Sequence, residues 1–231
     1  MSHVFVTGDF HGGFDNRKLT SKNFPEARQL TKDDYLIIAG DFGVLWKDEP
    51  DRNEQHWIRW LTKEKKWTTL FIDGNHENFV RLNNLPTEEK FGGRVGVVND
   101  SIYHLRRGEI YTIYDRTFFC FGGALSWDKS RRKEYVSWWP EEMPTVEDKD
   151  YAWDNLKKHN SQVDYIITHT VPENLIELLG FRKGGKFDST GYFLNDIYNS
   201  TKFKQWYCAH MHVDKHFGNF HVLYQKVMQI F

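Results

Sequence analysis

A chain of 231 residues is long enough for one α/β domain with a substantial core. A formal charge of −1 at pH 7 gives no global field toward nucleic acid or a membrane surface. Two cysteines, Cys120 and Cys208, are too few for a disulfide framework and lack metal-ligand spacing. No apolar stretch is long enough to span a bilayer and no signal-like leader follows Met1, so the expectation is a soluble cytoplasmic protein folded as a single domain over 1–231, without membrane attachment. Composition leaves the oligomeric state open.

In chain order, Val4 to Thr7 reads as a first buried strand ended by Gly8-Asp9-Phe10-His11-Gly12-Gly13. Asn16 to Leu30 is polar and mixed, with Phe24-Pro25-Glu26 opening a short helix. Tyr35 to Ala39 is a second strand, ended by Gly40-Asp41-Phe42-Gly43. Glu54 to Lys65 spaces His56, Trp57, Trp60 and Leu61 as one face of an amphipathic helix. Thr69 to Ile72 is a third strand, ended by Asp73-Gly74-Asn75-His76-Glu77. Three apolar runs, each followed by a polar turn and helix-like sequence, predict βαβ units and a largely parallel sheet.

Beyond Arg81, short apolar runs at close spacing (95–98, 102–105, 109–113 and 117–121) predict antiparallel or mixed strands crossing into a second sheet. Residues 122–149 are basic, then Trp-rich, then acidic, which suggests an exposed excursion. A helix over 150–159, a strand over 163–168 ending at His169, and a strand over 203–208 running into Ala209-His210-Met211-His212 follow. Residues 220–228 read as one closing strand.

The polar groups that follow strands are Asp9, His11, Asp41, Asn75, His76, His169, His210 and His212. Taken singly, each has an ordinary explanation as a turn residue, a cap or a satisfied core histidine. Taken together, they place donors at one edge of a sheet. Apart from His76 they form seven N/O donors with no thiolate, which suits two adjacent borderline divalent cations better than a closed structural zinc site. Two cations about 3.5–4 Å apart need a shared ligand, and a carboxylate bridges naturally.

The ordered set Asp9-x-His11, Gly40-Asp41, Gly74-Asn75-His76-Glu77, a later His169 and His210-x-His212 resembles the calcineurin-like metallophosphoesterase family over nearly the whole chain. The resemblance implies an α/β fold in which two mixed β-sheets pack as a sandwich with flanking helices. It implies two divalent transition-metal ions (Mn, Fe, Zn, Ni or Co), with Asp9, His11 and His212 on the first, Asn75, His169 and His210 on the second, and Asp41 bridging. The implied reaction is hydrolysis of phosphate mono- or diesters by a hydroxide held between the metals. His76 would act as general acid or phosphate stabiliser, with Glu77 beside it in the catalytic motif.

The sequence departs from the family where Gly-Asp-x-x-Asp is common, since Val44 follows Phe42-Gly43. The protein-phosphatase branch uses that carboxylate to orient its catalytic histidine, leaving Glu77, Asp48 or Asp51 as substitutes here. Ala209 stands where Gly usually precedes the first His of the last motif. Arg131, Arg132 and Arg81 are candidate substrate contacts, and Arg182-Lys183-Gly184-Gly185-Lys186 a further phosphate grip or a surface turn. Trp138-Trp139-Pro140 is a stacking surface or lid. The expected substrate is a phosphate ester, with a nucleotide or nucleic-acid end as one candidate. The competing reading is a binding or scaffold protein that keeps the fold while its chemistry has lapsed.

Overall fold

A computed structural model describes residues 2–180 and 188–231. Its strands are β1 (Val4–Thr7), β2 (Tyr35–Ile38), β3 (Thr68–Phe71), β4 (Thr87–Lys90), β5 (Gly93–Asn99), β6 (Ile102–Leu105), β7 (Ile110–Ile113), β8 (Arg116–Phe121), β9 (Tyr165–Thr168), β10 (Gln205–Cys208), β11 (Lys215–Phe217), β12 (Phe220–Val222) and β13 (Val227–Gln229). The α-helices are α1 (Arg52–Arg59), α2 (Phe79–Asn83), α3 (Val146–Lys158) and α4 (Ser189–Ser200). One sheet has the order β13-β1-β2-β3-β6-β5-β4 and the other β11-β12-β10-β9-β8-β7. The central run β1-β2-β3-β6 is parallel, with antiparallel pairs at its margins. In the second sheet β8, β9, β10 and β12 are parallel.

Alternation along each strand explains the sandwich. Val4, Val6, Ile37, Leu70, Phe118, Cys120, Ile167 and Tyr207 point inward to a core shared by both sheets. Their neighbours Phe5, Leu36, Ile38 and Phe71 point the other way, where Leu61 and Trp67 are buried with them and Trp57, Ile58 and Trp60 pack alongside. On the second sheet, Phe119, Phe121, Ile166, Trp206 and Cys208 face Ala152 and Leu156 of α3 and Leu194 and Ile197 of α4. Such strands are buried on both faces, which is why they read as unbroken apolar runs. Asp51 caps α1 by accepting the Glu54 N–H at 2.8 Å, and a reciprocal Thr145–Asp148 capping box opens α3.

Three expectations are corrected. Residues 95–105 extend the first sheet, and the second begins at β7. The closing run is two strands in different sheets, because Val222 and Leu223 bury in different cores. Between those strands the Asp214 carboxylate accepts the N–H groups of Tyr224, Gln225 and Lys226 at 2.8–3.1 Å. The 122–149 segment is exposed at its crest, but Trp139 and Glu142 are fully buried.

Candidate metal centre

β1, β2 and β3 end side by side in the first sheet and β9 and β10 in the second, and the turns that follow them are tied to one another. Phe10 and His11 both donate their backbone N–H to the Asp41 carbonyl, at 3.1 and 2.7 Å, and Gly12 donates to Phe42 O at 2.9 Å. The Asp41 side chain accepts the His76 N–H at 2.7 Å, and Asp9 accepts the His210 N–H at 3.2 Å. A side chain is excluded where these turns touch: a Cβ on Gly74 would lie 2.0 Å from Asp41 Oδ1, and one on Gly40 2.0 Å from His169 Nδ1. His11, Asp41, His210 and His212 all have left-handed backbone, with φ of 48°, 48°, 65° and 50°. Non-glycine residues hold such angles at a cost of order 1–3 kcal/mol each, and they concentrate where a side chain must be aimed.

The side chains converge into two groups that share Asp41. In one, ligand atoms of Asp9, His11, Asp41 and His212 all lie within 4.8 Å of one another; in the other, those of Asp41, His169 and His210 do. Asn75 joins the second group, with Oδ1 3.1 Å from His169 Nε2. All seven predicted donors are thus brought together.

Hydrogen bonding around the groups leaves a deficit of positive charge at their centre. His169 Nδ1 lies 2.8 Å from the Ala39 carbonyl, which can only accept, so this nitrogen carries the proton. The unprotonated Nε2 then faces two more acceptors, Asn75 Oδ1 at 3.1 Å and Asp41 Oδ1 at 3.3 Å. Only a cation, whether proton or metal, reconciles that arrangement. Asp9 Oδ2 and Asp41 Oδ2 are buried with no hydrogen-bond partner, although His212 Nε2 and His11 Nε2 lie 3.1 Å from them without hydrogen-bond geometry. The donor set therefore fits divalent cations.

Electrostatics agree. Burial opposes charge on His11 and His169, yet the facing carboxylates, Asp41 foremost, raise both to about 9. Burial would push Asp9 and Asp41 up, and the histidines around them hold both below the usual carboxylate range. His210, buried and beside His169, drops to about 4. A site that draws protons onto its imidazoles in this way is also one that a metal ion would occupy in their place.

Several supporting residues carried no signal in the sequence. Asp15 Oδ2 meets His11 Nδ1 at 2.7 Å, turning Nε2 toward Asp41, and Asp15 Oδ1 accepts from the Tyr224 hydroxyl at 3.0 Å. Lys18, only 1% exposed, donates its ammonium to the carbonyls of Gly8, Asp9 and Tyr224, fastening the first turn to the chain's last segment. Ser126 accepts from Asn75 Nδ2 at 3.0 Å, and is itself held by buried Glu142. A buried lysine or serine has no periodic signature, so only the fold reveals these partners.

His76 lies at the edge of the cluster, its ring 5.1 Å from that of His11. Burial, reinforced by the nearby Arg132 charge, lowers its proton affinity despite Asp41. The Arg132 guanidinium spans the ring nitrogens at 3.1 and 3.2 Å and is held by Asp128 at 2.8 Å. Arg132 is therefore the predicted arginine that reaches the site, while Arg131 is exposed on the loop. Arg81 does not reach it: its guanidinium is bound bidentately to Glu54 at 2.5 and 2.9 Å. Glu77 is also corrected as a catalytic partner of His76. It turns inward and accepts the N–H groups of Phe42 at 2.7 Å and Gly43 at 3.0 Å, while burial and the Asp41 charge push its carboxyl up to about 8. Asp48 accepts from Asn78 at 3.3 Å and Asp51 caps α1, so neither carboxylate orients His76. Residues 182–186 lie outside the described residues.

This sandwich, with acidic and imidazole donors gathered at its strand ends, is that of a phosphoesterase. The chain belongs to the calcineurin-like phosphoesterase family, matching it over residues 2–214. It is similar to a lariat debranching enzyme of Entamoeba histolytica (strain ATCC 30459 / HM-1:IMSS / ABRM), 24% identical over 94% of this chain, and spans 65% of that relative's length. Among solved structures, it superimposes with a TM-score of 0.51 on a Staphylococcus aureus protein assigned as a 5′-nucleotidase, 14% identical, covering 99% of this chain and 50% of that one. A second crystal structure superimposes with a TM-score of 0.50 at 17% identity, over 96% of this chain and 89% of its own. No helix among the described residues is long and apolar enough to cross a membrane.

Proposed function

We propose that this protein hydrolyses phosphate mono- or diesters with two divalent transition-metal ions, acting on a nucleotide or nucleic-acid end. The observation that carries this reading is the pair of donor groups meeting at Asp41. Asp9, His11 and His212 would hold one ion, Asn75, His169 and His210 the other, and Asp41 both. Bound there, the cations would supply a nucleophilic water at neutral pH and neutralise the phosphoryl oxygens.

The remaining work falls to the chain. Arg132, which now spans the His76 ring, would turn to a phosphoryl oxygen, with Asp128 keeping its planar fork aimed. Burial and the Arg132 charge hold His76 neutral in the free protein. The negative charge of a bound phosphate ester would offset that charge and raise the ring's affinity for a proton, which His76 would pass to the leaving oxygen. The lariat debranching relative and the structure assigned as a 5′-nucleotidase favour a nucleotide substrate.

The test is to strip the metal and assay p-nitrophenyl phosphate and bis-p-nitrophenyl phosphate with Mn²⁺, Mg²⁺, Zn²⁺ and Ni²⁺ supplied separately. Turnover restored by a transition metal and abolished by Asp41→Asn supports the proposal. Metal binding without turnover on any phosphate ester would instead leave a scaffold that has kept the site.

A further inference from the structure

Beside the metal cavity lies a second pocket of about 240 Å³, and His11 and His76 line both. Its other walls differ in kind from the metal side. Phe14, Val44 and Trp46 supply apolar surface, and Lys47, Asp51 and Asn53 form a polar rim. Val44 is buried at the position where a carboxylate is common in the family, which keeps this wall apolar. Trp46 is held in place: its ring meets Trp139 at 5.2 Å in an edge contact and lies nearly parallel to His76, with centroids 6.3 Å apart. Phe14 is 90% exposed, just past the turn that carries His11.

A fully solvated phenyl ring at the mouth of a catalytic cavity is a poor use of apolar surface unless something covers it. The pocket is smaller than the several hundred Å³ of a typical drug-sized site, so it admits one flat ring system. Two aromatic side chains provide stacking surface, and rim groups that donate and accept hydrogen bonds suit the polar edge of a heterocycle better than a plain hydrocarbon. Its position selects the substituent. A phosphate at the metal centre meets this pocket across His76, the group proposed to protonate the leaving oxygen.

We propose that the pocket receives the nucleobase of the departing nucleoside, with Phe14 and Trp46 as its stacking surfaces; this rests on the phosphoesterase reading above. The pocket then determines specificity for base-bearing leaving groups, and sugar phosphates that lack a base are poor substrates.

The experiment compares AMP with ribose 5-phosphate, and the methyl ester of AMP with that of ribose 5-phosphate, on the Mn²⁺-loaded protein. Adenosine binding is measured separately by calorimetry. We expect kcat/KM to favour the base-bearing ester about tenfold or more, in line with the stacking of one base. Phe14→Ala should lower the ratio severalfold, whereas Phe217→Ala, an exposed aromatic that lines neither cavity, should leave it alone. Equal kcat/KM for the two esters, or a preference that Phe14→Ala leaves unchanged, overturns the pocket and leaves the phosphoesterase standing. Adenosine that binds in a Phe14-dependent way to a protein hydrolysing no phosphate ester keeps the pocket and removes the enzyme. Failure of both adenosine binding and hydrolysis removes both.

Discussion

Ser126 gives its hydroxyl and its backbone N–H to the Glu142 carboxylate, at 2.5 and 2.9 Å, and accepts the Asn75 amide at 3.0 Å. Because Nδ2 is committed to Ser126, Asn75 must present its oxygen to His169. The amide of Asn75, proposed above as a metal ligand, is thus oriented from a loop about fifty residues away.

Ser126→Ala frees that amide to rotate, and should weaken Mn²⁺ binding by about 10- to 100-fold, the usual effect of losing such an orienting partner. Equilibrium dialysis measures this, and urea unfolding of the metal-free protein separates it from packing. A loss of stability with unchanged affinity would mean that Ser126 only fills space.

His76→Ala should retain its metal while turnover falls by about 10²–10⁴, most on alkyl esters with poor leaving groups. Metal content by elemental analysis beside kcat on paired aryl and alkyl esters decides it. Loss of metal in this variant would make His76 a ligand.

Loading with Mn²⁺ at pH 7 should expel protons. His11 and His169, raised to about 9 by the carboxylates that face them, are protonated in the metal-free protein and must become neutral to bind. Calorimetry in two buffers of different ionisation enthalpy counts the protons, and affinity should fall from pH 8 to pH 6.

Asp73 is a stability determinant beneath the site. It is 1% exposed and meets Arg107 at 2.6 Å and His104 at 3.2 Å. Burial would raise its carboxyl, but Arg107 first, with His104, holds it well below the usual range. Above the unfolded-state pKa of about 3.9 the pairing contributes in full; as pH falls further, the unfolded chain binds a proton that the folded one refuses, and the contribution shrinks. Asp73→Asn should cost about 3–5 kcal/mol at pH 7. The gap to wild type should be level down to about pH 5 and close below about pH 4, as read by urea melts at pH 7, 5 and 3.

The sequence made the strand ends legible because each donor follows a run of consecutive apolar residues such as Tyr35–Ile38 or Tyr165–Thr168, doubly buried in a parallel sheet. It hid β4 and β11, whose residues Thr87–Lys90 and Lys215–Phe217 are edge strands facing solvent and so carry polar side chains. α4 escaped notice because Ser189–Ser200 is rich in residues that favour caps and turns. At the site, the donors were readable because each follows a strand-like run. The partners of His76 were not, since Arg132 arrives from a loop and Glu77, adjacent in sequence, faces the other way.

That orientation of Glu77 has a consequence for how the protein can change. One carboxylate fastens the loop after β2 and sits in the loop after β3, so lengthening or reshaping either one pulls on its neighbour and on two of the proposed ligands together. The stretch around Arg132 has no such double anchor imposed by Glu77 and stands largely in water. New substrate preferences would therefore arise most readily there, by exchange of surface residues over a rim that stays the same.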